Sequence, residues 1–335
     1  MLNKNIVSEL SRKIKDKRIG IIGDFCLDIY WYADMTRSEL SRETPHYPLP
    51  VVEEKVYLGA GGNVASNIAA LCPGKIYAMS LYGNDWRGML MKELLEKYKI
   101  DPKYFVPLKK GITNAYCKPM RKGISAVVYE DPRLDFENMI GPDGQEEELI
   151  ISNLLQMSEK IDVLCVADQF RNGIVTEKVR NVICDLAKNG LTVIADSRYH
   201  IADYKYCILK PNEVECWKAV YGNDAYLSAD LNSFLNAADT LAKKNNSVVF
   251  CTLGANGSYI TEGSSGERVE AKKLDGELDI CGAGDTSLSA FSCALACGTS
   301  LKEAASFAAL ASSVTVKKIG ITGTADFDEI LLAAE

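Results

Sequence analysis

Histidine is almost missing from this chain. Only two stand among 335 residues, which leaves little from which to build a zinc site. Cysteine is present eleven times, an odd number with no C-x-x-C pair, so neither a disulfide framework nor a zinc ribbon is expected. Cys165 in DVLCVAD and Cys251 in VVFCTLG lie inside apolar runs, where a free thiol acts as a small hydrophobe. Cys293 and Cys297 stand four apart in a helix-like segment, a core spacing rather than a ligand pair. No apolar run is long enough to span a bilayer, and the opening MLNKNIVSELSRKIKDKRIG carries no signal-peptide core. A cytoplasmic protein with no membrane partner is expected. Lysines and arginines number 38 against 45 aspartates and glutamates. The basic residues are scattered, so no nucleic-acid partner is expected. Repeats and low-complexity linkers are also missing. Hydrophobic residues make up 47% and charged residues 25%, the balance of a chain that buries a core rather than staying disordered.

What is present is alternation. Short apolar runs read as strands at 17–24, 75–83, 161–168, 191–197, 205–211 and 247–254. Amphipathic stretches read as helices at 63–72, 85–99, 175–190, 285–298 and 300–320. Strands alternating with helices argue an α/β fold with a mainly parallel sheet covered on both faces. Ligands of such sheets bind beyond the carboxyl ends of the strands. Two segments, about 29–57 and 111–130, have strand-like composition without helices between. They are expected to form a small antiparallel sheet that serves as a lid and excludes water. The length suits one domain over 1–335 with this appendage.

Five polar clusters follow strand ends. DICGAGDTSLSAF at 279–291 places Gly282, Ala283 and Gly284 before Asp285 at a helix start. Small residues allow close backbone approach, and a helix N-terminus offers free amides to an anion. An aspartate there can accept the proton of an attacking hydroxyl, or simply cap the helix. LGAGGNVASN at 58–67 leads Gly59 and Gly61 into a helix with Asn63; backbone plus amide suits polyol hydroxyls. No lysine follows, which excludes a phosphate loop of the GxxxxGK[ST] kind. Asp24 and Asp28 in GDFCLD can grip sugar hydroxyls or cap a turn. Asn212 and Glu215 in KPNEVE share one side of a helical turn, as oxygen ligands of hydrated Mg2+ or as an ordinary cap. Thr252, Gly254 and Gly257 in TLGANG can lie along a nucleotide.

Taken in order, GD, GxGxN, NxxE, TLGxxG and GAGD resemble the ribokinase-like (PfkB) family of carbohydrate kinases over roughly 17–330. Within it the chain is most similar to heptose 7-phosphate kinase domains. GDFCLDIYWYAD, SRETPHYPLPVV, GGNVASNIAAL, RLDFEN at 133–138 and VTVKKIGITGT at 314–324 carry that likeness. The chain departs from them at Pro45-His46-Tyr47-Pro48, at Cys281 in place of a threonine, and at 168–173. The cytidylyltransferase-like domain that often follows is expected to be absent.

The resemblance implies a three-layer α/β/α fold with a β lid. It also implies transfer of the ATP γ-phosphate to a sugar or sugar-phosphate hydroxyl, in the first instance the anomeric hydroxyl of a heptose 7-phosphate. A ketohexose, pentose or nucleoside kinase, or a non-catalytic sensor on the same fold, are the other readings. By position, Asp285 resembles the catalytic base and Gly282, Ala283 and Gly284 the anion hole. Asp24, Asp28, Gly59, Gly61 and Asn63 resemble sugar contacts. Asn212 and Glu215 resemble the Mg2+ and phosphate network, and Thr252, Gly254 and Gly257 the ATP contacts. Asp279 matches a monovalent-cation (K+) position. Arg42, Arg133 and Arg171 are candidates for a substrate phosphate. A homodimer through the lid completes the expectation.

Overall fold

The computed structural model of the chain describes residues 3–125 and 127–334. An eight-stranded sheet forms its centre. Across it run Lys75–Met79, Arg18–Gly23, Val163–Asp168, Thr192–Ser197, Ile208–Leu209 and Val248–Thr252, all parallel. Ser258–Thr261 and Glu267–Val269 close one edge antiparallel.

The run VLCVAD shows why helices cover both faces. Val163, Cys165 and Ala167 point into one core, and Leu164 and Val166 into the other. A strand buried on both sides must be apolar at every position rather than at alternate ones. The first core packs against helices that include Gly61–Ala70, Ala283–Ala296 and Leu301–Thr315. The second packs against Gly144–Ser158, Glu177–Lys188 and Leu231–Asn245. The result is three layers, as expected.

The smaller sheet differs from the expectation. Phe25–Asp34 pairs antiparallel with Val51–Ala60, yet parallel with Ala115–Lys122. Val128–Glu130 and Leu134–Phe136 pair antiparallel with that third strand. The sheet is therefore mixed. Between Val51–Ala60 and Ala115–Lys122 the chain passes through two helices and the central strand Lys75–Met79, and it re-enters at the end where Phe25–Asp34 begins, which makes those two strands parallel. Two boundaries also shorten. The strand read at 205–211 is only Ile208–Leu209. The helix read to 320 stops at Thr315, ahead of Gly320 at φ 72°.

Candidate active site

The GAGD segment folds as its glycines require. Gly282 holds φ 78°, a left-handed angle that suits a residue without Cβ, and the helix Ala283–Ala296 begins immediately after it. Of the three small residues, the Ala283 amide is already bonded to the Ile280 carbonyl at 3.2 Å. Gly284 is exposed in the first turn, where amides lack intrahelical acceptors.

Asp285 stands in the first turn. Its Oδ2 accepts from Asn63 Nδ2 at 2.6 Å. Asn63 is buried in the helix Gly61–Ala70 and braced by Asn67, whose Oδ1 accepts from Thr286 Oγ1 at 2.9 Å. A closed polar network thus ties the two glycine motifs together across 222 positions of sequence. Burial pushes the Asp285 carboxyl up to about 6. The Asn63 hydrogen bond opposes that push, and the Asp196 carboxylate adds to it.

Two residues that motif reading missed complete this end of the cleft. Lys210 Nζ bonds Asp196 Oδ2 at 2.6 Å, with both side chains buried. That ammonium lies 3.8 Å from the point where a Cβ on Gly284 would sit, beside the helix start. Burial favours its neutral form. The Asp196 and Glu215 carboxylates more than offset that and hold its pKa above the ordinary lysine value. Both residues stand at carboxyl ends of parallel strands, and that position was the signal available for finding them.

Asn212 and Glu215 form a reciprocal cap on the helix Glu213–Tyr221. Asn212 Oδ1 accepts from the Glu215 amide at 2.8 Å, and Glu215 Oε2 from the Asn212 amide at 2.9 Å. The capping alternative is therefore realised. It fixes the carboxylate beside Lys210 and leaves Glu215 Oε1 without a hydrogen bond among the described residues. Burial, then Asp196, raises the Glu215 pKa. Thr252 sits alongside; its amide donates to the Pro211 carbonyl at 3.0 Å. Gly254 and Gly257 follow at φ 55° and 82°. No cluster of three or more His, Cys, Asp or Glu poised to hold a metal occurs among the described residues.

The other end of the cleft carries the smaller sheet. Asp28 is 8% exposed, with Lys118 Nζ 3.9 Å away. Burial raises its pKa, while Lys118 and Arg133 draw it down. Lys118 also donates to Tyr30 Oη at 2.9 Å. Arg133 lies over the Tyr116 ring and pairs with Asp135 at 2.6 Å. Gly59 packs directly on this group; a Cβ there would come within 2.8 Å of Asp28 Oδ2. Gly61 donates its amide to the Asp24 carbonyl at 2.8 Å. Ala60, between those glycines, is held at φ 49°, ψ −124°.

Asp24 takes the turn-holding alternative. Its oxygens accept from the amides of Gln169, Phe170 and Ile174 at 2.7–2.8 Å, which clamps the 169–174 loop. Burial and the Asp168 carboxylate push its pKa up to about 7 against those three bonds. Asp279 likewise accepts from the Cys281 and Gly320 amides at 3.0 and 2.9 Å and so shapes the 279–284 loop. Arg42 is exposed on the irregular 38–50 segment. Arg171 stacks on Tyr199 at 4.5 Å and lines a different cavity. Of the three arginine candidates, only Arg133 adjoins Asp28.

This arrangement is one an alcohol kinase can use: a raised carboxylate at a helix start, a buried ammonium beside it, and a buried carboxylate with two cations on the smaller sheet. The chain matches the model of the pfkB family carbohydrate kinases over residues 21–327. It belongs to that family and is a sugar kinase. The family implies ATP and a divalent metal as reaction partners. Among curated relatives, the bifunctional protein HldE of Aliarcobacter butzleri (strain RM4018) is 30% identical over 321 residues, 94% of this chain and 64% of that protein. HldE of Sulfurimonas denitrificans is 27% identical, over 93% of this chain and 63% of that one. The chain thus spans somewhat less than two thirds of these relatives' length. Among solved structures, Arabidopsis thaliana ribokinase complexed with ribose and ATP superposes at a TM-score of 0.68 with 20% identity, covering 96% of this chain and 99% of that one. Escherichia coli phosphofructokinase-2 in complex with fructose-6-phosphate superposes at 0.72 with 20% identity, covering 95% and 98%. No helix among the described residues is long and apolar enough to cross a membrane.

Proposed function

We propose that this sugar kinase transfers the γ-phosphate of ATP to the anomeric hydroxyl of a heptose 7-phosphate. The observation that carries the chemistry is Asp285, raised to about 6 and oriented by Asn63 at 2.6 Å. A base poised near neutral pH takes a hydroxyl proton efficiently. The substrate class rests on the similarity to HldE proteins and on Lys118 and Arg133 beside Asp28, two cations suited to a sugar phosphate.

Asp285 accepts the hydroxyl proton while the oxygen attacks phosphorus in line. First-turn amides at Gly284 and Asp285, with the Lys210 ammonium, bear charge on the transferring group. Asn63 and Asp28 orient the sugar, and Gly59 lets it approach the backbone. Asp24 contributes indirectly through the 169–174 loop. Thr252, Gly254 and Gly257 flank the nucleotide. The free Oε1 of Glu215 and the adjoining Asn212 suit a hard cation reached through water, and Mg2+ there would neutralise phosphate charge. K+ near Asp279 would act on the 279–284 loop that this carboxylate holds. The smaller sheet would close over the sugar as a lid on a single 1–335 domain. Its strands expose Val51, Val52, Val128 and Tyr129, apolar side chains suited to contact with a second copy of the chain.

ADP release with Mg-ATP across heptose 7-phosphate, sedoheptulose 7-phosphate, fructose, ribose and a nucleoside tests the reading. Turnover with the heptose phosphate alone supports it. Preference for another acceptor sinks the substrate assignment, and silence with all of them sinks the reading as a whole.

A further inference from the structure

A cavity of about 790 Å3 lies between the helix Glu177–Lys188 and the 200–206 segment. None of Asp285, Asn63, Lys210 or Glu215 lines it. Arg180 does, although it is only 7% exposed. Its Nε has no hydrogen-bond partner. Its guanidinium lies over the Tyr204 ring at 5.6 Å, draws down the pKa of the buried Asp168 carboxylate, and ion-pairs with Asp203 alone among the described residues, Nη1 standing 3.8 Å from Oδ2, beyond hydrogen-bond range. That oxygen is shared with His200 Nδ1 at 3.2 Å, and the Asp203 side chain is 58% exposed. A buried guanidinium with an unmet donor, whose one direct ion pair among the described residues is long and solvent-facing, is an expensive arrangement in a folded chain. Arg171 and Lys205 line the same cavity, both exposed and neither ion-paired among the described residues. The acids Glu177 and Asp185 occupy the helix side of the rim.

We propose that this cavity binds a compact anion, a phosphate monoester or a dicarboxylate. Arg180 is the buried anchor, and Asp203 is the counter-ion the ligand displaces. The two Nη groups of the guanidinium, neither hydrogen-bonded among the described residues, match two oxygens of such a group. Arg171 and Lys205 supply the outer charge that a dianion needs.

The test uses the full chain saturated with a non-hydrolysable ATP analogue, which keeps added anions out of the nucleotide cleft. Inorganic phosphate and succinate are titrated separately by calorimetry. One equivalent of one of them should bind, and the one that saturates identifies the head group. Asp203→Asn should tighten binding, and Lys205→Ala should weaken it, each by about 3- to 5-fold, the scale of single exposed ion pairs. Arg180→Gln should abolish it. Should that variant fail to fold, the Asp203 and Lys205 variants decide. Absence of saturable heat from both anions overturns the proposal. So does an affinity indifferent to Asp203→Asn and Lys205→Ala, which would put the anion elsewhere, for instance beside Lys118.

Discussion

Removing the amide of Asn63 should move the pH at which the enzyme gains activity. In the wild type, burial holds the Asp285 carboxyl up to about 6 while Asn63 pulls it down through the 2.6 Å bond. A base works only when deprotonated, so kcat/KM should rise with pH through a limb near that value. In Asn63→Ala the opposing bond is gone, and the limb should move upward. A hydrogen bond to a charged group is worth about 1.5–3 kcal/mol, and one pKa unit corresponds to about 1.4 kcal/mol. Asp285 keeps partial solvent exposure, so the low end of that range applies, a shift of about one unit. The assay is ADP release across about pH 5 to 9, with kcat and kcat/KM fitted separately. The variant should recover a large part of its kcat on the alkaline plateau, because the base itself is intact. A limb near the ordinary carboxylate value in the wild type, or a downward shift in the variant, would refute the reasoning.

Three further outcomes are expected. Asp285→Asn should retain nucleotide binding by calorimetry while kcat falls about 10^2- to 10^4-fold, the usual share of a general base; a variant within tenfold of wild type would refute the role. Ala60→Gly should stabilise the fold by about 1 kcal/mol in denaturant unfolding, because φ 49°, ψ −124° strains any residue with a Cβ; a lower denaturation midpoint would refute it. Lys210→Met should cost about 3–5 kcal/mol, since it leaves buried Asp196 unpaired, whereas Lys210→Met combined with Asp196→Leu should regain part of the loss; equal losses in both would show that the pair is not the cause.

Much of this was legible in the chain. A strand buried on both faces reads as a continuous apolar run, so VLCVAD announced its layer without any tertiary knowledge. The glycines at 59, 61 and 282 were legible because close approach and positive φ restrict the choice of residue. The carboxylates were not legible as partners. Whether Asp24 faced a sugar or a turn depended on where the 169–174 amides would lie, a matter of tertiary placement 145 to 150 positions away. Lys210 and Asp196 carry no local pattern; only their places at strand ends marked them. The parallel pairing of Phe25–Asp34 with Ala115–Lys122 was hidden for a related reason. Composition reveals a strand, but its direction comes from the route the chain takes between strands.

The bond between Asn63 and Asp285 has a consequence for how the molecule is made. Its two halves enter the chain 222 positions apart, on helices that pack against each other on one face of the central sheet. Until the Ala283–Ala296 helix has been synthesised and docked, the Gly61–Ala70 helix has no base to orient. An N-terminal intermediate can therefore fold its first strands without gaining the power to split ATP. Phosphoryl transfer is therefore itself a readout that these two distant parts of the chain have come together.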